Sequence, residues 1–498
     1  MLTEHRISFI TAAIFSILIA VGFYYFPLIS DDLKSIIFCK ETFLYDSTLD
    51  FDAFWENIIF IFKTNHFRLP NVLMPLIILL PKWIPAFLSG ASLFYIYIAG
   101  AKLGSFAGSL NSMILYIFGI VFIFPWIDQL YLISFQAPYL WGAAFSILLL
   151  KWIFDKDRPS NILLFLFCVF LGTWQEAYAG TIVAACICLM IFYRTYRTMP
   201  ITIIIIGLCC GMAINSLPLI LFNKWTRWTF LEDRMIMIYP YVFITLVFVP
   251  VFLIVYKKNK SVLNPFILTL LEISIASSIM AIYFKTGARV AGLGIICSII
   301  GIISLLKARI AACGGLFSKA LFGAIGLITL VHIIVVDIEC YKLGNETDYV
   351  VNRYRSHNES PVFATMTFRE NAPWIALQKP YYDWFAHSRT LELFNCIYGN
   401  DSVMLEVAPA ELRQFDIEKS ELIPGTAHIY WYKGNMVGVN LDTNYFNVDF
   451  GRGKVERRFH TVAFSQQGKR TYFWMHPDNT IIDFLLHPKP LSIDISTH

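Results

Sequence analysis

The chain has 498 residues, 57% of them hydrophobic and 15% charged, with a mean hydropathy of +0.61 and a net charge of +4. Its apolar residues come in runs far too long for a water-soluble core, which excludes a soluble globular protein. Lys and Arg are scattered among short loops rather than gathered into one stripe, which argues against nucleic acid as a partner.

Apolar runs set against charged punctuation place spans near 7–29, 70–100, 106–125, 138–154, 161–176, 178–193, 200–222, 238–256, 262–284, 290–306 and 316–339. That makes about 11 crossings of a polytopic α-helical membrane protein. Alternate loops carry the cations: Arg6, Lys102, Lys151 to Arg158, Arg194 and Arg197, Lys257 to Lys260, then Lys307 and Arg309. By the positive-inside rule the N-terminus is cytoplasmic, and the opposite loops and the C-terminal part face outward. Pro70, Pro75, Pro81 and Pro85 make the second span irregular, either broken or re-entrant.

The loop at 30–68 opens with the adjacent carboxylates Asp31 and Asp32 and closes with His66 and Arg68. Within it, residues 50–63 place Phe51, Phe54, Trp55, Ile58, Ile59 and Phe62 at helical spacing, an amphipathic helix suited to the bilayer interface. Two adjacent carboxylates repel, which raises the pKa of one; such a pair serves as a general base, holds a divalent metal, or merely caps a helix. Glu176, beside Gln175 in GTWQEAYAG, lies between two apolar runs, so it sits at a tight external turn or is buried and needs a partner. Asp128 and Gln136 fall in the second outward loop. Lys285 and Arg289, where an outward loop enters a span, and Arg227 in KWTRWTF offer cations suited to a lipid-linked phosphate, or simply anchor helix ends.

After Glu339 the composition turns polar, and a soluble α+β domain over 341–498 is expected to follow the membrane domain at 1–340. Its expected hairpins turn at Gly434-Asn435, near Gly451 to Gly453, and at Pro477-Asp478, with a partly helical, aromatic-rich stretch over 371–399. Most of the ten cysteines lie in spans as apolar filler, while Cys340 and Cys396 pair only if their backbones approach.

The layout of an acidic first outward loop, an interfacial helix, many spans and a terminal external domain resembles the GT-C superfamily of integral-membrane glycosyltransferases. SDDL at 30–33, HFRLPN at 66–71, APYLWGAAF at 137–145 and GTWQEAYAG at 172–180 look like a bacterial group within it, a fold-level match over about residues 1–310. The resemblance implies transfer of a sugar from a polyprenyl-phosphate donor, with inversion, to a cell-envelope glycan, lipid or protein at the plasma (inner) membrane. It implies Asp31 or Asp32 as base, Lys285, Arg289 and Arg227 on the donor phosphate, and substrate contacts from His66, Arg68, Gln136, Trp141, Gln175 and Glu176. Where the family usually has a glycine-arginine pair, Phe67 precedes Arg68 here. Some members use a divalent metal such as Mg or Mn and others do not, so the metal requirement stays open. The alternatives are a transporter or flippase of lipid-linked saccharides, whose charges would lie near mid-membrane on two related halves, and a non-catalytic envelope assembly protein.

Overall fold

The computed structural model describes residues 2–28, 32, 55, 58–59, 62, 67–124, 126, 130–155, 158–221, 235–284, 288–313 and 315–356. Beyond these it describes 362–366, 405–409, 415–432, 435–441, 445–449, 454–458, 461–464, 470–475 and 492–495. By contact the chain divides into two compact units, one of residues 1–26, 38–43 and 48–340, the other of residues 27–37, 44–47 and 341–498.

The first unit is a helical bundle: α1 (Leu2–Tyr25), α2 (Leu69–Leu79), α3 (Trp83–Leu103), α4 (Leu110–Ile123), α5 (Ile133–Phe154), α6 (Asn161–Trp174), α7 (Glu176–Phe192), α8 (Met199–Leu221), α9 (Met235–Lys258), α10 (Pro265–Phe284) and α11 (Gly292–Ala312). The last helix, α12 (Leu316–Ser356), begins in it and continues into the second unit. Among the described residues seven helices are long and apolar enough to cross a membrane, and four more apolar helices are shorter. Large apolar side chains stand exposed along whole faces, as with Ile10, Ile14 and Ile17 on α1 and Ile162, Leu163 and Leu166 on α6. Water would penalise such faces and lipid does not, so the chain is a polytopic membrane protein.

The expected second span is two helices. Pro70 enters the first turn of α2, where its missing N–H costs nothing, Leu80 turns extended, and α3 restarts after Pro81. The span expected at 138–154 starts earlier, at Ile133, and its first turns include a π-helical segment, Gln136–Trp141. Pro138 has no N–H to donate, so the helical ladder is already interrupted there. Of the interfacial helix expected at 50–63, the described residues Trp55, Ile58, Ile59 and Phe62 are helical.

The tightest crossing joins α6 to α8, which run parallel. Gly207 and Gly211 of α8, four residues apart, face Phe165 to Gly172 of α6, and a Cβ on Gly172 would stand 2.6 Å from the Leu208 carbonyl and 2.9 Å from the Gly211 Cα. Only glycine lets two backbones approach so closely, the small-residue packing that substitutes for hydrophobic drive between helices in lipid.

In the second unit, β1 (Val362–Met366) and β2 (Leu405–Pro409) form a parallel pair. Strands β3 (Glu421–Leu422), β4 (Ile429–Tyr432), β5 (Asn435–Val439), β8 (Thr461–Phe464) and β9 (Arg470–Met475) form an antiparallel sheet in the order 3-4-5-9-8. Strands β6 (Tyr445–Asp449), β7 (Lys454–Arg458) and β10 (Ser492–Ile495) form a second antiparallel sheet in the order 10-6-7. One expectation needs correction. Tyr432 pairs with Asn435, so the first hairpin connects through 433–434, one residue before the expected turn. In that sheet β9 has β5 on one edge and β8 on the other, and the turn expected at Pro477-Asp478 lies outside the described residues. The second unit takes up the chain at Tyr341, and α12 runs on across that point to Ser356: helicity needs no apolar run once the ladder is started. Cys340 is a buried free thiol on that helix, and Cys396 and the stretch 371–399 lie outside the described residues.

Candidate functional site

At the break between α6 and α7, Gln175 adopts an extended backbone (φ −150°, ψ 97°) and Glu176 opens α7 in its first turn, where the helix dipole favours a carboxylate. Across from it Arg68 occupies the N-cap of α2, its carbonyl taken by the N–H of Asn71 at 3.0 Å. The Arg68 Nε donates to Glu176 Oε1 at 2.9 Å and Oε2 at 2.8 Å, and Nη2 also meets Oε1. This is the fork geometry that arginine and a carboxylate share, with only 23% and 25% of the two side chains accessible. Asn215 of α8 donates from Nδ2 to the Gly172 carbonyl at 2.9 Å and to Glu176 Oε2 at 3.4 Å. Burial alone would pull the Arg68 guanidinium down. The Glu176 carboxylate, with Tyr139 beside it, outweighs burial and holds the group above its ordinary value, so Arg68 carries its charge.

Tyr139 belongs to the π-helical segment and serves two arginines. It meets Arg68 on one side, and on the other the Arg289 guanidinium lies 5.5 Å from its ring and 3.9 Å over the ring of Phe135, a cation–π stack. Arg289 sits in the short turn Ala288–Ala291, which is tied to α7 by the fully buried Tyr178, whose hydroxyl donates to the Arg289 carbonyl at 3.1 Å. The π-helical segment also makes its own polar bonds. The Trp174 indole donates to the Ala137 carbonyl at 2.8 Å, the Gln136 amide donates to the Tyr131 carbonyl at 2.8 Å, and Ser89 donates to Gln136 Oε1 at 2.6 Å while accepting from the Trp141 indole at 2.9 Å.

Ser89→Ala tests this arrangement: it leaves the Gln136 oxygen and the Trp141 N–H without their partner in a dry interior. We expect a loss of about 2 kcal/mol, read by thermal unfolding in detergent. Ser146→Ala is the control, because among the described residues that hydroxyl bonds only to the Gly142 carbonyl one turn back, at 2.8 Å.

Gln175 is fully buried, yet among the described residues neither its amide oxygen nor its amide nitrogen has a hydrogen-bond partner. Buried polar groups are ordinarily satisfied, so this amide marks a place where a hydroxylated ligand or water would be held.

Of the residues singled out in the sequence, Arg68, Glu176, Gln175, Gln136, Trp141 and Arg289 gather in the first unit at these helix ends. Gln136 and Trp141 act through Ser89 in the helix interior. Asp32 is buried, 1% exposed, and is grouped with the second unit. Asp31, His66, Arg227, Lys285 and Asp128 lie outside the described residues. Among the described residues no three His, Cys, Asp or Glu side chains gather as a metal-binding group. Tyr139, Asn215, Ser89 and Tyr178 complete the cluster without having stood out in the sequence. Their signal was an isolated polar atom within an apolar run, which lipid tolerates only where it is bonded. Compared with protein-family models and with characterised proteins, the chain matches none.

Proposed function

We propose that the chain is a membrane glycosyltransferase of GT-C type, moving a sugar from a polyprenyl-phosphate donor to a glycan, lipid or protein acceptor on the outer face of the plasma (inner) membrane. In this reading the N-terminus is cytoplasmic and the C-terminal domain external. The observation that carries it is the buried Gln175 amide, without a partner among the described residues and next in the chain to Glu176 of the Arg68 pair. Donor and acceptor atoms held beside a fixed charge suit a sugar's hydroxyls. Arg289, backed by two aromatic rings, is assigned to the donor phosphate together with Lys285 and Arg227. The acceptor oxygen bonds to the anomeric carbon as the bond from that carbon to the phosphate oxygen breaks. Asp31 or Asp32 takes the acceptor proton, and the electron pair leaves on the prenyl phosphate.

The experiment is release of prenyl phosphate from a panel of polyprenyl-phosphate sugars by the full chain in liposomes. Asp31→Asn with Asp32→Asn is expected to lower the rate at least about a hundredfold, the scale of general-base catalysis, with membrane insertion unchanged. A full rate in that variant would remove the assigned base, and no release from any donor would remove the reading.

One observation favours transport of lipid-linked saccharides instead. Asp337 lies within the apolar stretch of α12, its Oδ1 against Gly22 of α1 and without a hydrogen-bond partner among the described residues. An intramembrane carboxylate is the ordinary mark of a transport route. Flipping of a labelled lipid-linked saccharide across liposomes that is lost in Asp337→Asn while prenyl phosphate release persists would favour it.

A further inference from the structure

At the other end of α3, α5, α7 and α10, some 27 Å along α5 from Gln136 at the helical rise, the bundle holds a cavity of about 580 Å³. It is bounded by the last turns of α3 and α5, the turn after α7 and the start of α10. Its cations are Lys102 and Lys151, each in the last turn of its helix. Lys151 shares its charge weakly with Asp155, 3.9 Å away, and among the described residues Lys102 makes no ion pair. Ser105 lines the cavity from a left-handed backbone (φ 56°) that a serine rarely adopts, and Asn264 caps α10 by accepting from the Ile267 N–H at 2.9 Å. The wall is aromatic: Phe154 meets Phe266 at 5.4 Å and Tyr196 at 6.1 Å.

A bland account gives the lysines to the helix C-terminal dipoles they stand beside. That account leaves unexplained why both line one hollow with a carboxylate, a strained serine and an aromatic wall. It also leaves the volume unexplained, since 580 Å³ lies in the range of small-molecule sites and far exceeds what one ion fills. Two ammonium groups and a hydroxyl recognise a phosphate. Asp155 beside them accepts from a hydroxyl or ammonium group carried on it. Exposed Leu263, Phe192 and Met199 flank this end of the bundle, so a ligand with acyl chains has an apolar surface to lie against.

We propose that this cavity is a binding site for a phosphodiester whose second substituent bears a hydroxyl or an amine, the head-group chemistry of an anionic or zwitterionic glycerophospholipid. The site stands apart from the glycosyl-transfer reading and does not depend on it. The same head group exists on a lipid and as a soluble glycerophosphodiester, and the test separates the two.

The full chain in detergent is titrated with phosphatidylglycerol, with diacylglycerol of the same chains, and with glycerophosphoglycerol at matched ionic strength, bound ligand being counted by native mass spectrometry. Phosphatidylglycerol is expected to bind and diacylglycerol not. A juxtamembrane lysine contributes about fivefold to anionic-lipid affinity, so Lys102→Gln with Lys151→Gln lowers it about twenty-five-fold, and Lys102→Gln alone about fivefold should the double variant fail to fold. Lys257→Gln with Lys258→Gln, which removes equal charge at the end of α9, is expected to change little. Binding of the soluble diester with comparable affinity assigns the site to a soluble ligand, and its absence assigns it to lipid. Unchanged phosphatidylglycerol binding in the Lys102 variants, or an equal loss in the Lys257 and Lys258 variant, overturns the proposal.

Discussion

Replacing Glu176 with alanine is expected to destabilise the bundle by about 3 kcal/mol, toward the lower end of the cost of breaking a buried ion pair because about a quarter of each partner stays accessible. The loss is larger than that of the hydrogen bonds alone. Without the carboxylate, Arg68 keeps its charge, and Tyr139 then lies between two guanidinium groups with no other anion paired to Arg68 among the described residues. Arg68→Lys is also expected to be costly, since an ammonium group cannot form the two parallel bonds that Nε and Nη2 make now. Replacing both partners with leucine should recover most of the stability, because it removes the stranded charge together with the pair. Thermal and denaturant unfolding in detergent micelles reads all three. The double variant also separates fold from chemistry: under the glycosyl-transfer reading it stays folded and loses prenyl phosphate release. If Glu176→Ala and the double variant unfold alike, the pair is not the contact that holds α2 to α7.

The helices could be read from the chain because apolar runs and prolines act locally. Pro70 and Pro81 mark where α2 starts and α3 resumes, and lipid-facing side chains such as Ile14 and Ile162 needed no partner to be recognised. The choice for Glu176, a tight turn or a buried place that needs a partner, was legible as well, since a carboxylate between apolar runs must be compensated unless water reaches it. That the partner is Arg68, 108 residues earlier, was not, because helix packing rather than sequence spacing sets the pair. The π-helical segment escaped notice for another reason: its apolar pattern runs on through Gln136–Trp141 while only the ladder changes. In the sheet domain the turn residues gave the neighbours of β4 and β6, but β9 pairs with β5 across three intervening strands, which no turn chemistry encodes. Asn215 shows the same limit at the site: it reads as one more polar residue in α8 until α6 is laid beside it.

That crossing supplies the other large effect. A Cβ on Gly211 would run into the Val169 carbonyl and stand 2.7 Å from the Gly172 Cα and 2.8 Å from its carbonyl carbon, all backbone atoms of α6 that cannot swing aside. Gly211→Ala should therefore force the helices apart at a cost of about 2–3 kcal/mol, the upper range for overpacking, even though alanine is the better helix former. Gly211→Leu should cost more. Gly323→Ala is the matched control on α12, where an added Cβ meets nothing within 4 Å, and there the propensity gain is expected to show as a slightly higher melting temperature. The crossing also bears on the site, since Asn215 lies one turn beyond Gly211 and reaches both Gly172 and Glu176 from it. Moving α8 away breaks those bonds, so Gly211→Ala and Asn215→Ala should be strongly non-additive, the second costing little once the first is present. Additive losses would mean that the glycine contact and the Glu176 cluster are independent, and a Gly211→Ala protein that melts like Gly323→Ala would mean that α6 and α8 do not touch backbone to backbone.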